Sequence, residues 1–121
     1  MPKKICVIDD EQGILDELSD WLGEQGYDVM TSNNGDVGLE MMAKNKPHLL
    51  ILDLIMPKVD GFEVLSRMKQ DPQTANVPVI MLTAKKDTAS IMEAQERRAC
   101  DFMTKPFLGD ELLRSIQRYI L

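Results

Sequence analysis

The sequence predicts an α/β chain in which five strands and five helices alternate and fold as a doubly wound parallel sheet. Continuous apolar runs of strand length occur at 5–8, 49–52 and 79–82, the pattern of strands covered on both faces. Two less apolar strand candidates, 27–31 and 101–104, and helical patterns between them complete the alternation. A strict β-α order implies parallel pairing with right-handed crossovers.

Each element has its own signature. After the first strand, Ile14, Leu15, Leu18, Trp21 and Leu22 form one apolar helical stripe, closed by Gly26 as a C-terminal cap. The mixed strand 27–31 suits a sheet edge. A second helix is expected over 36–43 with Leu39 and Met42 facing inward, although Gly38 within it is worth about 1 kcal/mol less than Ala. After the strand at 49–52, Asp60 and Glu63 form a capping-box pattern that opens a third helix, whose Phe62, Leu65 and Met68 face the core. Asp87 is expected to cap a fourth helix that runs to about Arg97. The strand at 101–104 is the second edge, and a last helix carries Leu112, Leu113, Ile116 and Ile120. Buried first, third and fourth strands with two edge strands fit the flavodoxin-like (βα)5 order 2-1-3-4-5.

Composition narrows the function classes. The 121 residues, 44% hydrophobic and 28% charged, suit one domain over 1–121 with a single core. No apolar run reaches the ~18 residues of a membrane span. The apolar segment after Met1-Pro2-Lys3-Lys4 is too short for a signal peptide, so a cytoplasmic location is expected with no membrane partner. A net charge of −6 gives no generic attraction for nucleic acid and favours a basic partner or a divalent cation. Cys6 and Cys100, far apart and in no CxxC arrangement, read as two buried or half-buried free thiols.

In open parallel sheets, sites form beyond the carboxyl ends of the strands near the switch in strand order. There the first strand delivers Asp9 and Asp10, the third Asp53, the fourth Thr83 and the fifth Lys105. Three carboxylates in one small site require protonation or a cation. Hard oxygen ligands suit Mg²⁺ (or Mn²⁺). A metal, an ammonium and a hydroxyl around a central carboxylate can handle a phosphoryl group, with the carboxylate as nucleophile. Glu11 reads as a helix-start residue favoured by the helix dipole, and His48 as a surface residue.

The segments "VIDDE", "LLILDLIMPKVDGFEVL", "PVIMLTA" and "DFMTKPF" together resemble the receiver domain of two-component response regulators, over nearly the whole chain. The resemblance implies a phosphorylation-dependent signalling switch in a phosphorelay, and no enzyme in the ordinary sense. It makes Asp53 the phosphoacceptor, supplied by a histidine kinase or a histidine phosphotransfer protein. It makes Asp10 the direct Mg²⁺ ligand, Asp9 a ligand through water, and the main-chain carbonyl of Ile55 the third protein ligand. Lys105 is expected to pair with Asp53, Thr83 to act as the switch hydroxyl and Phe102 as the switch aromatic. Lys105-Pro106 matches a peptide bond usually cis in the family. Ile55 and Lys85 match positions expected to tune hydrolysis. A downstream protein partner is expected on the surface of helix 4, strand 5 and helix 5.

Two residues depart from the pattern. Arg98 stands where Gly commonly precedes Ala99, so the turn after the fourth helix is expected to differ. Leu108 stands where a capping Asp or Ser often opens the last helix, leaving that job to Gly109 or Asp110. Two other classes are weighed. A phosphatase of the haloacid-dehalogenase type places its nucleophile in a D-x-D-x-T pattern after the first strand, and here the acids are adjacent with no DxD. A flavin-binding module needs a phosphate-cradling loop there, which Asp9-Asp10-Glu11 would repel. The residues fit a stand-alone receiver and a piece of a longer regulator equally.

Overall fold

The computed structural model describes residues 2–84 and 87–120. The elements run β1 (Lys4–Ile8), α1 (Gln12–Glu24), β2 (Asp28–Ser32), α2 (Gly35–Asn45), β3 (Leu49–Leu52), α3 (Gly61–Gln70), β4 (Val79–Thr83), α4 (Thr88–Glu96), β5 (Asp101–Thr104) and α5 (Gly109–Tyr119). All strand pairs are parallel and the order is β2-β1-β3-β4-β5, as the burial pattern predicts. Lys85, one of the two residues expected to tune hydrolysis, lies outside the described residues.

Alternation along the strands divides the core into two layers. Ile5 and Val7 of β1 face α1 and α5, joining Leu15, Leu18, Leu22, Leu112 and Ile116. Cys6 and Ile8 face α2, α3 and α4, joining Met42, Val64, Leu65, Met68 and Ala94. Every residue of β3 and β4 is buried, whereas the edge strands β2 and β5 are mostly half-buried.

The helix ends that the sequence marks at Gly26, Asp60 and Asp87 form as expected, and the two positions that depart from the pattern behave otherwise. Gly26, at φ 94°, closes α1 through hydrogen bonds from Gly26 N–H to the Gly23 carbonyl and from Tyr27 N–H to the Leu22 carbonyl, a Schellman motif. Asn34, Asp60 and Asp87 cap α2, α3 and α4 through their side-chain oxygens. The first departure is the turn after α4. It is the same Schellman motif, with Arg98 N–H donating to Gln95 and Ala99 N–H to Ala94, and Arg98 itself takes the left-handed φ of 69°. The expected change of turn is therefore a strained residue in a glycine conformation. The second is α5, where Leu108 is the N-cap and offers no side-chain bond. Gly109 and Asp110 do not take over the cap. They lie inside the helix, where Asp110 and Glu111 contribute charge to the first turn.

Gly38 has a packing reason that helix propensity hides. A Cβ there would sit 2.4 Å from Ile8 Cδ1, so glycine lets α2 close onto β1. His48 is exposed, and its Nδ1 accepts the Lys4 N–H at 3.0 Å beside the ladder of β1 and β3.

Candidate functional site

The sheet ladders continue one step past three of the strands and thereby fix the site. Asp9 N–H donates to the Ser32 carbonyl, Asp53 N–H to the Ile8 carbonyl and Lys105 N–H to the Thr83 carbonyl. Each bond places a chemically active side chain at the carboxyl edge of the sheet, at the switch between β1 and β3. A crevice of about 250 Å³ there is lined by Asp10, Glu11, Asp53, Ile55, Thr83, Ala84 and Lys105. The sequence-predicted residues Asp9, Asp10, Asp53, Ile55, Thr83 and Lys105 thus converge. Phe102 does not line the crevice. It lies one strand over, half-buried on the α4 side of β5, beside a cavity of about 180 Å³ bounded by Ile91, Ala94, Gln95 and Ala99.

The loop after β3 is pressed into shape by α3. A Cβ on Gly61 would lie 2.3 Å from the Asp53 carbonyl oxygen and 2.7 Å from Leu54 Cα. Gly61 N–H donates to the Leu54 carbonyl at 2.8 Å. Only glycine lets α3 begin this close to the backbone that carries Asp53.

Lys105 is the electrostatic centre. Its Nζ lies 2.6 Å from Asp9 Oδ2, 3.2 Å from Glu11 Oε1 and 3.4 Å from Asp53 Oδ2. The expected Lys105–Asp53 pair exists, but the ammonium is shared and sits closest to Asp9. Glu11, read from sequence as a helix-start residue alone, is the N-cap of α1 and also holds Lys105. That contact joins side chains 94 positions apart, and no local pattern announces it.

Burial works to lower the Lys105 pKa, but its hydrogen bonds to Asp9 and Glu11 and the charges of Asp9 and Asp53 outweigh this, and the ammonium is held above its ordinary range. For Asp9 the balance falls the other way. Burial raises its carboxyl pKa and the bonds from Lys105 and Glu11 N–H do not fully offset it, with the Asp53 charge adding to the rise.

Asp9, Asp10, Glu11 and Asp53 each place a carboxylate oxygen within 4.8 Å of the others. Such an all-oxygen donor set, in which Lys105 pairs with only three of the four acids, fits a hard divalent ion. Asp9 is 2% exposed and Asp53 4%, whereas Asp10 faces solvent. Both Asp9 oxygens already have partners, Oδ1 accepting Glu11 N–H at 2.9 Å and Oδ2 binding Lys105. Asp10 and Glu11 are the two exposed acids, and of these Asp10 is the one that Lys105 does not hold.

Known proteins share this architecture. The family model for the response regulator receiver domain matches residues 5–117. The chain is 42% identical over 112 residues to the alkaline phosphatase synthesis transcriptional regulatory protein PhoP of Bacillus subtilis, covering 93% of this chain and 46% of that protein. It is 34% identical over 120 residues to sporulation initiation phosphotransferase F of the same species, covering 99% and 95%. It superposes on chemotaxis protein CheY4 of Vibrio cholerae with a TM-score of 0.94 at 28% identity, covering 99% and 100%. Against PhoP and the DNA-binding regulator RpaA of Synechocystis, the chain spans about half of the relative's length. No helix among the described residues is long and apolar enough to cross a membrane. With the sheet order, the acidic crevice and the family match in agreement, the chain belongs to the response regulator receiver domains, the phosphoacceptor signalling domains of two-component systems.

Proposed function

We propose that Asp53 is the phosphoacceptor and that the domain switches its surface when Asp53 is phosphorylated. The observation that carries this reading is a buried carboxylate 3.4 Å from a lysine ammonium at the floor of an otherwise acidic crevice. Asp53 Oδ attacks the phosphorus of a phosphohistidine on a histidine kinase or histidine phosphotransfer protein. The new O–P bond forms as the P–N bond breaks, and the imidazole leaves with the electron pair and takes up a proton. Lys105 donates to a phosphoryl oxygen and offsets its charge. Asp10, Asp53 and the Ile55 carbonyl would hold Mg²⁺ (or Mn²⁺), with Asp9 acting through water. The ion, when bound, supplies neutralisation of phosphoryl charge.

Signalling then follows from Thr83 and Phe102. The Thr83 side chain is buried at the end of β4, within the crevice. Its hydroxyl turns toward a phosphoryl oxygen, and Phe102 fills space on the α4 side of β5, next to which the cavity already lies. The consequence is a changed α4–β5–α5 surface for a downstream protein partner. The acidic charge of −6 gives this chain no generic attraction for nucleic acid, which favours a protein partner at this surface.

Incubation with Mg²⁺ and a small acyl phosphate is expected to add one phosphate to the chain. Full labelling of Asp53→Ala would overturn the assignment. Repeated turnover of phosphate esters would instead favour a phosphatase of the haloacid-dehalogenase type.

A further inference from the structure

We propose that Glu11 is a positioning residue that competes with the phosphoryl group on Asp53 for the Lys105 ammonium. The inference rests on the phosphoacceptor reading above and concerns how that site is tuned.

An ammonium has three N–H donors, and three carboxylates surround Lys105 Nζ: Asp9, Glu11 and Asp53. Two of these acceptors are buried and fixed. Asp9 and Asp53 are held by main-chain ladder bonds on either side of β1, and both side chains are nearly inaccessible. Glu11 differs, with a side chain 62% exposed. It occupies the N-cap position of α1, yet makes no capping bond. Its main-chain N–H is anchored on Asp9 Oδ1, and the carboxylate reaches across the crevice mouth to Lys105. The helix therefore gives no account of this side chain, and the lysine does.

A phosphoryl group on Asp53 enters the same crevice that Glu11 lines. It adds acceptor oxygens beyond the Asp53 carboxylate and draws Lys105 toward them. The pair with buried Asp9, at 2.6 Å, is the costly one to break. The exposed pair with Glu11 is the cheap one. Glu11 thus gives up the ammonium on phosphorylation and, in the resting domain, holds it back from Asp53. Charge and reach both matter: an aspartate at this position keeps the charge but lacks the methylene that spans to Nζ.

The test uses beryllofluoride, which mimics a phosphoryl group on a carboxylate, at saturating Mg²⁺. Binding is followed by amide shifts, together with the Nζ resonance of Lys105. Both Glu11→Gln and Glu11→Asp are expected to bind beryllofluoride about threefold more tightly than wild type, the size an exposed ion pair supports. The Lys105 Nζ signal is expected to move in both resting variants and to coincide with wild type in all the complexes. Unchanged affinity in Glu11→Gln, or a Glu11→Asp variant that behaves as wild type, overturns the proposal and leaves the phosphoacceptor reading standing. Failure of the wild type to bind beryllofluoride overturns that reading, and this inference with it.

Discussion

Arg98 is a residue in a conformation its side chain disfavours. At φ 69° it closes α4, and its N–H and that of Ala99 satisfy the last carbonyls of the helix. A Cβ in the left-handed region costs about 1–2 kcal/mol, partly offset by the greater unfolded-state freedom of glycine. Arg98→Gly is therefore expected to raise unfolding stability by about 0.5–1 kcal/mol in urea titration, with no change of sheet or site. The departure from glycine was visible in the sequence, but its outcome was not, because sequence does not say whether the turn or the residue yields. The two cysteines, both expected to be buried or half-buried, divide instead: Cys6 is wholly buried on β1, whereas Cys100, at the turn into β5, is exposed. A native thiol-labelling time course should show one fast site, Cys100, with Cys6 reacting only as fast as the fold opens. Fast modification of both would place Cys6 wrongly. Glu11 marks the limit of reading at this scale. Asp9, Asp10, Asp53, Thr83 and Lys105 were legible because each ends a strand. Glu11 reaches Lys105 across 94 positions, where α1 lies beside the β5–α5 connection with Trp21 packed on Phe107.

Among the elements, α3 and α5 show two opposite ways of starting a helix. α3 begins with full chemistry: Asp60 Oδ1 accepts Glu63 N–H at 2.9 Å, and Gly61 admits the close approach to Asp53. Gly61→Ala would put a methyl group against main-chain atoms that cannot rotate away, so the β3–α3 loop must shift. A loss of about 1–3 kcal/mol is expected. Slower labelling by acyl phosphate should accompany it, because the carboxylate of Asp53 moves with its backbone. Normal labelling in a destabilised Gly61→Ala would show that the loop, not the nucleophile, absorbs the strain. α5 begins without a side-chain cap, on a Leu108 that is 64% exposed. Leu108→Asp is expected to add about 1 kcal/mol by supplying the missing oxygen and complementing the helix dipole. The sequence showed the missing cap but pointed to Gly109 or Asp110 as its replacement. The helix instead starts one residue earlier than such a cap would allow.

Across the whole molecule, stability against pH follows from where the fold holds protons more tightly than the unfolded chain. Burial pushes the Cys6 thiol from 9.0 up to about 12, so the folded state keeps a proton that the unfolded chain has lost. Stability from this group is complete below pH 9 and falls by about 1.4 kcal/mol per pH unit up to about 12. Lys105, also raised, adds to the loss above its ordinary 10.5. Cys6→Val should remove the part of the alkaline decline that begins near pH 9 and leave the later part. Asp9 acts at the other end of the scale. Its raised pKa means that the stability linked to its proton is present below 3.8 and is lost as pH rises, so at neutral pH its buried charge weakens the metal-free fold. A binding site that costs stability when empty is expected to be strengthened by its ligand. Mg²⁺ at a hundredfold excess over its Kd should stabilise the domain by about 2.7 kcal/mol at pH 7. The gain in Tm should shrink as pH falls and protons compete for the carboxylates. Asp10→Asn should abolish most of the gain by removing the exposed acid that Lys105 does not hold, and Asp9→Asn should raise the metal-free Tm while reducing the Mg²⁺ response. A Tm indifferent to Mg²⁺ at pH 7 in the wild type would show that Lys105 alone balances the acids of this crevice.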